Sequence, residues 1–174
     1  MNIFVLSEDP LEAARLMCDK HIRSKMIIES GQMLAYCFTM DQLEQPDCPR
    51  TATGQPRKQA KRHKNHPCSK WVVESRSNMK WLIDHALEMC DERLRRWPGK
   101  EHFTRPFIEW CKDNIEKSHI PENGLTPFAV AISQTMNCRQ LDEFESLPTV
   151  EKYRLYYKMD KPFATWTEHA AQTV

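Results

Sequence analysis

The feature that most constrains the fold is the stretch from Ser69 to Trp97, "SKWVVESRSNMKWLIDHALEMCDERLRRW". Ser69 is a typical N-cap residue, and a proline followed by a glycine at positions 98 and 99 is typical of a helix end. The inward-facing candidates are Trp71, Ser75, Asn78, Leu82, Cys90 and Trp97. The sequence therefore predicts one long helix over residues 69–97.

Other segments favour the same class of structure. We expect Thr104 to cap the helical segment "RPFIEWCKDNIEKS" and Thr149 to cap "VEKYRLYYKM". Only four glycines in 174 residues argue against a turn-rich β-sandwich. With 40% apolar and 28% charged residues, the composition is that of a globular protein. We expect an all-α fold in a single compact helical domain spanning residues 1–174.

The N-terminal part predicts a short buried element and then a helix. "NIFVL" at 2–6 is apolar and β-branched, which predicts either a short strand or a buried N-terminal arm. "SEDP" ends at Pro10 and is a helix start. Helical spacing then continues to about Met40, and we expect any break to fall near Cys18–Asp19.

The seven cysteines and the N-terminal composition indicate a location inside the cell. The cysteine count is odd and no CxxC pair occurs, which favours reduced thiols. The first ten residues carry acids and lack the pattern of a signal peptide or a membrane span. We expect a cytoplasmic protein that does not enter a membrane.

Residues 41–68 predict a long loop, because "QPDCPRTATGQPRKQAKRHKNHPC" contains four prolines and few large apolar residues. Five of the eight residues at 57–64 are Lys or Arg, which suits phosphate contacts, and a merely solvated loop is the alternative. His63, His66 and Cys68 are zinc-ligand types, but no second half-site follows. We therefore expect neither a metal nor another cofactor.

Four polar residues, His21, Lys25, Glu29 and Gln32, recur at intervals of four, four and three and therefore share one helix face. A carboxylate beside a histidine and lysines can act as a general acid/base. Glu29 is the candidate for that role, and His21 is the candidate for orienting it or the substrate. A solvated face is the alternative, since Lys25 and Glu29 form an ordinary i,i+4 pair.

The C-terminal segment "YRLYYKMDKPFATW" interleaves aromatic and basic residues, a pattern that suits nucleic acid. Aromatic residues of this kind are as often part of a core. We expect Tyr153 and Trp166 in the core, and Tyr157 and Lys161 in contact with a ligand.

The order of these segments resembles the phage pyrimidine-dimer DNA glycosylases of the endonuclease V type. "CDKH" at 18–21 is similar to a D-x-H element of that family, and Glu29 to its catalytic glutamate. "HKNHPCSKWV" and "YRLYYK" are similar to its basic loop and aromatic cluster. The motifs are short but spread over most of the chain. The resemblance implies a small all-α protein acting on double-stranded DNA.

One residue departs from that family, whose nucleophile is the α-amino group of a threonine exposed by removal of the first methionine. Here the second residue is Asn2, whose side chain is too large for efficient removal of Met1. The resemblance then implies either that the Met1 amine attacks the sugar or that no amine does. The histidine-to-glutamate spacing is also about one residue longer than in that family.

Three functional hypotheses follow. The first is a phage-type DNA glycosylase that flips a pyrimidine base out of the duplex, with the lyase step left open. The second is a transferase that hypermodifies thymine on the same scaffold. The third is a non-enzymatic phage protein that binds a host factor or a nucleotide signal, in the host cytoplasm.

For the first hypothesis the predicted catalytic residues are Glu29, His21 and Met1. The predicted substrate-binding residues are Lys20, Lys25, Gln32, Lys64, Asn65, His66, Lys70, Tyr157 and Lys161.

Overall fold

A computed structural model of the protein describes residues 1–167. Within this range the α-helices are α1 (Pro10–Arg15), α2 (Met26–Leu34), α3 (Met40–Glu44), α4 (Pro67–Val72), α5 (Arg76–Arg96), α6 (Arg105–Asp113) and α7 (Thr149–Asp160). A π-helical turn covers His21–Lys25, and short 3₁₀ turns cover Ala35–Cys37, Lys61–His63, Ile115–Lys117, Asn137–Gln140 and Phe144–Ser146. Residues 1–167 contain no strand, which confirms the predicted all-α class.

The centre of the fold is α5, which packs against α1, α2 and α6. Six of its seven buried apolar residues follow helical spacing: Met79, Leu82, Ile83, Ala86, Met89 and Cys90. Residues three or four positions apart lie on one face of a helix, so one side of α5 is continuous with the core.

The predicted helix over 69–97 is two helices, because the chain is interrupted at residues 73–75. Ser75 is predicted to face inward within the helix, but its hydroxyl accepts a hydrogen bond from the Ser77 amide at 3.2 Å and caps α5. The cap of α4 is His66, whose Nδ1 accepts from the Cys68 amide at 3.2 Å. A side-chain cap starts a new helix, so Ser69 lies inside α4 instead of preceding it.

The expected break near Cys18–Asp19 is confirmed, since α1 ends at Arg15 and helical backbone resumes at Asp19, just before the π-helical turn. The fully buried Arg96 guanidinium donates to the carbonyls of Arg15 at 2.9 Å and Met17 at 2.7 Å. It also pairs with Asp19 at 3.1 Å. A buried arginine therefore satisfies the carbonyls that the break leaves free.

The observed loop is shorter at both ends than the loop predicted at 41–68. Thr39 and Gln42 form a capping box that starts α3, so residues 41–44 are helical. At the other end Pro67 opens α4. The loop is tied to the body of the protein: the Tyr36 hydroxyl donates to the Ala60 carbonyl, and Gln59 Nε2 donates to the Phe38 carbonyl at 2.7 Å.

Two predicted caps differ in detail. Thr104 precedes α6, but its side chain makes no capping hydrogen bond. Thr149 is the first residue of α7, which Pro148 precedes. Tyr153 is fully buried, as expected, whereas Trp166 is half-buried and its indole donates to the Leu16 carbonyl at 3.0 Å.

Residues 2–6 form a buried arm, the second of the two predicted alternatives. Phe4 has a φ of 45° in this arm.

Candidate active site

The N-terminal arm brings the start of the chain to the middle of α2. The Met1 amino nitrogen lies 3.5 Å from Oε1 of Glu29, and the Asn2 amide donates to Oε2 at 3.0 Å. The Met1 side chain is 1% exposed, and its sulfur lies 3.2 Å from the Ser69 hydroxyl. An amine and a carboxylate that lie far apart in the sequence are therefore held as a pair.

The π-helical turn aligns His21 with Glu29. On a regular helix, eight residues turn through about 80° more than two full turns, so the two side chains would share one side of the helix without lying in line. A π-turn absorbs one extra residue, and Met26 accordingly bonds back to the His21 carbonyl. His21, Lys25 and Glu29 consequently line one cavity.

This cavity, which we call the main cavity, has a volume of about 750 Å³. Met1 and Glu29 form part of its wall. Four cationic side chains line it: Lys20, Arg23, Lys25 and Lys161. Three aromatic rings line it as well: Phe4, Tyr156 and Phe163. Cations beside aromatic faces are suited to a ligand that carries both negative charge and a planar ring.

His21 is buried in the wall of the main cavity. Its Nδ1 is hydrogen-bonded to the Tyr157 hydroxyl, and its ring stacks on Phe4 with centroids 4.5 Å apart. Burial, followed by the charges of three lysines, lowers the pKa of His21 to about 4. The imidazole is therefore neutral at neutral pH, and it can orient a group there without adding charge.

Two of the cavity lysines are themselves held by aromatic rings. The Lys20 ammonium lies 4.0 Å from the centre of the Phe163 ring, and that of Lys161 lies 3.6 Å from the centre of the Tyr156 ring. These cation–π contacts keep positive charge at the mouth of a site without neutralising it, unlike a pairing with a carboxylate.

A smaller cavity of about 390 Å³ adjoins the main one, and Met1, Lys25 and Glu29 line both. Gln32 lies here, together with Arg62 and His63. These two belong to residues 57–64, which we call the basic loop. The amine–carboxylate pair thus stands between two cavities.

The structure brings most predicted site residues to these cavities, but not all of them. Lys64, Asn65 and Lys70 are exposed and line neither cavity described here. The ring of His66 caps α4, and burial together with the charge of the Met1 amine lowers its pKa. Tyr157 is 3% exposed and lies behind His21.

Sequence reasoning missed several residues of the main cavity. Phe4 belongs to the apolar arm, although its position three residues from the amine could have marked it. Arg23 lies two residues beyond His21 and is outside the helix face that the spacing identifies. Ala131 and Ser133 lie in an irregular segment whose sequence gives no indication of a site.

Within the described residues, no group of three or more His, Cys, Asp or Glu side chains could hold a metal ion. All seven cysteines are buried and free. Every helix in residues 1–167 is too short or too polar to cross a lipid bilayer.

Comparison with known protein families identifies a relationship. The family model described as pyrimidine dimer DNA glycosylase matches residues 1–104, which include the arm, the π-turn, Glu29 and the basic loop. No curated protein and no solved structure matches the chain.

Proposed function

The chain belongs to the pyrimidine dimer DNA glycosylase family, and we propose that it removes a damaged pyrimidine base from double-stranded DNA by covalent attack of the Met1 amine. The observation that carries the proposal is the approach of that amine to within 3.5 Å of Glu29 at the wall of the main cavity. It supplies a nucleophile and a proton acceptor side by side.

In the first step Glu29 takes a proton from the amine, and the freed lone pair attacks the anomeric carbon of the sugar. The bond between that carbon and the base breaks, and the base leaves with the electron pair and takes up the proton that Glu29 holds, which frees the carboxylate for the next step. Glu29 is within reach of the amine, so geometry supports it as general acid/base.

A Schiff base then forms as the nitrogen loses its second proton and the sugar ring opens. Glu29 can return a proton to the ring oxygen. The Schiff base makes the neighbouring carbon acidic, so elimination of the 3′-phosphate and strand cleavage can follow. The lyase step is therefore part of this proposal, with Met1 in place of a processed threonine.

The other cavity residues have binding roles in this proposal. Lys20, Lys25 and Lys161 hold phosphates, which are the groups that lysines contact most readily in DNA. A flipped nucleotide enters the main cavity, where the aromatic rings stack on its base. His21, which is neutral, orients the sugar or Glu29.

The test is trapping with borohydride, which reduces a Schiff base to a stable amine. The protein is incubated with ultraviolet-irradiated duplex DNA, and its intact mass is measured to show that Met1 is present. We expect a covalent complex whose peptide map places the adduct on Met1. The control is the same protein extended by one residue ahead of Met1, which we expect to trap no DNA at this site.

The same assay separates the two other hypotheses. Strand cleavage that appears only after alkali would reveal abasic sites and indicate glycosylase action with a water nucleophile. A modified base without abasic product would indicate group transfer, and no change in any substrate would indicate a binding protein. Each of these results would overturn the covalent mechanism.

A further inference from the structure

The side chain of Asn2 is buried, 7% exposed, and makes three hydrogen bonds within the arm and beyond it. Oδ1 accepts from the amides of Ile3 at 2.8 Å and Phe4 at 3.0 Å. Nδ2 donates to the Ala131 carbonyl at 2.8 Å. Asparagine is well suited to this, because its short side chain carries both an acceptor and a donor next to the backbone.

These bonds determine the path of the arm on both sides of Asn2. On one side Phe4 has a φ of 45°, in the left-handed region that costs energy for a residue with a side chain. The Asn2 oxygen bonds to the amide of that same residue, which helps to hold the conformation. On the other side the Asn2 amide donates to Glu29. The Met1 amine, on the residue directly before Asn2, faces the same carboxylate.

We propose that Asn2 is a positioning residue that holds the Met1 amine against Glu29. The first residues of a chain are usually mobile unless something ties them down. A mobile amine would meet the sugar in few productive orientations, and small displacements of a nucleophile lower rates strongly. The proposal rests on the function proposed above and names what fixes its nucleophile.

The two oxygens of Glu29 show how Asn2 and a retained Met1 act together at this site. Oε2 is occupied by the Asn2 amide, and Oε1 faces the amine. The amide cannot act as a nucleophile, but it fixes the carboxylate that receives the proton. The Met1 side chain, packed near Ser69, provides a second anchor for the same nitrogen.

The experiment compares Asn2→Leu with Asn2→Asp. Leucine is of similar size and removes all three side-chain hydrogen bonds, whereas aspartate keeps the acceptor for the Ile3 and Phe4 amides. Both residues are large enough for Met1 to be retained, which intact mass verifies. The matched control is Asn114→Asp, because Asn114 is similarly buried, at 8% exposed, and lies at the end of α6, outside both cavities.

Two rates are measured on each variant, together with its affinity for irradiated DNA. The single-turnover rate of borohydride trapping is measured beside the dissociation constant for irradiated DNA. The rate at which acetic anhydride labels the Met1 amine is measured without DNA. For Asn2→Leu we expect trapping to slow by about 10- to 100-fold with DNA binding nearly unchanged. We expect faster amine labelling in Asn2→Leu, an intermediate effect in Asn2→Asp, and neither effect in the control.

Equal trapping and equal labelling in wild type and Asn2→Leu would overturn the proposal. If Asn2→Leu does not fold, the Asn2→Asp variant decides by the same two measurements. If the wild-type protein traps no DNA, the proposed function fails. The labelling rates then still show whether Asn2 holds the amine in place.

Discussion

The Tyr157 hydroxyl is hydrogen-bonded to Nδ1 of His21, so a side chain of the last helix fixes the ring that lines the main cavity. Tyr157 itself is buried, and burial raises its pKa well above the ordinary value. Its hydroxyl therefore stays protonated. Tyr157 therefore contacts the His21 ring from behind, and we expect it to act on the site through His21.

Replacing Tyr157 by phenylalanine removes that hydroxyl and leaves the His21 nitrogen without its partner. We expect the trapping rate to fall by about tenfold, the effect of removing one hydrogen bond, while affinity for DNA changes little. The control is Tyr36→Phe, which removes a hydroxyl bonded to Ala60 in the basic loop and should leave trapping unchanged. Equal decreases in both variants would contradict a specific role for Tyr157.

Replacing Glu29 by glutamine removes the proton acceptor and keeps the shape of the side chain. We expect turnover to fall by at least about 100-fold, the usual contribution of a general acid/base. DNA binding should remain largely intact, because the surrounding cations are unchanged. Single-turnover trapping and a DNA titration on the same sample test this, and retained turnover would remove Glu29 from the mechanism.

The stability of the protein should fall as the pH decreases from about 6.5 to about 4. Burial is the main reason why the pKa values of His21, His85 and His102 are each lowered to about 4. In the unfolded chain these groups titrate near 6.5. Within this interval the unfolded state binds protons that the folded state does not, so the free energy of unfolding decreases.

Urea unfolding at several pH values measures this dependence. The variant His85→Gln removes one of the three groups from a position that does not line the main cavity. The slope of its free energy of unfolding against pH should be smaller than in the wild type. We expect the decrease to correspond to about one proton fewer taken up on unfolding. An unchanged slope would show that His85 does not resist protonation in the folded state.

The local part of the site could be predicted from the sequence. The spacing of His21, Lys25 and Glu29 places them on one side of a helix, and the structure puts all three at one cavity. Helical spacing was likewise sufficient for the all-α class, since it depends on residues close together in the chain.

Other features of the site and the fold could not be predicted, in part because they depend on contacts between residues far apart in the sequence. The bond from Asn2 to Ala131 joins positions 129 residues apart, and nothing near Ala131 marks it as a partner. The interruption before α5 was missed for a different reason. Ser75 falls on a core-facing phase, and a capping serine and a buried serine look alike in a sequence. The π-turn has no recognised sequence pattern at all.

The basic loop yields the last prediction, because its five cations are not equivalent. Arg57 is 9% exposed, its guanidinium lies 4.6 Å from the centre of the Phe107 ring, and it donates to the Pro49 carbonyl at 3.3 Å. It therefore belongs to the structure of the loop. Arg62 is exposed and lines the smaller cavity, and the loop's three lysines have no such buried anchorage.

We accordingly expect Lys61→Glu combined with Arg62→Glu to weaken binding to any duplex. The slope of the log binding constant against log salt concentration should become shallower by about one for each phosphate that the loop no longer neutralises. The control is Lys80→Glu, since Lys80 pairs with Asp84 on α5 and lines neither cavity. Arg57→Met should instead lower the midpoint of urea unfolding, because the loop is deprived of an internal anchor. DNA titrations at several salt concentrations distinguish these effects, and an unchanged salt dependence in the double variant would exclude the loop from phosphate binding.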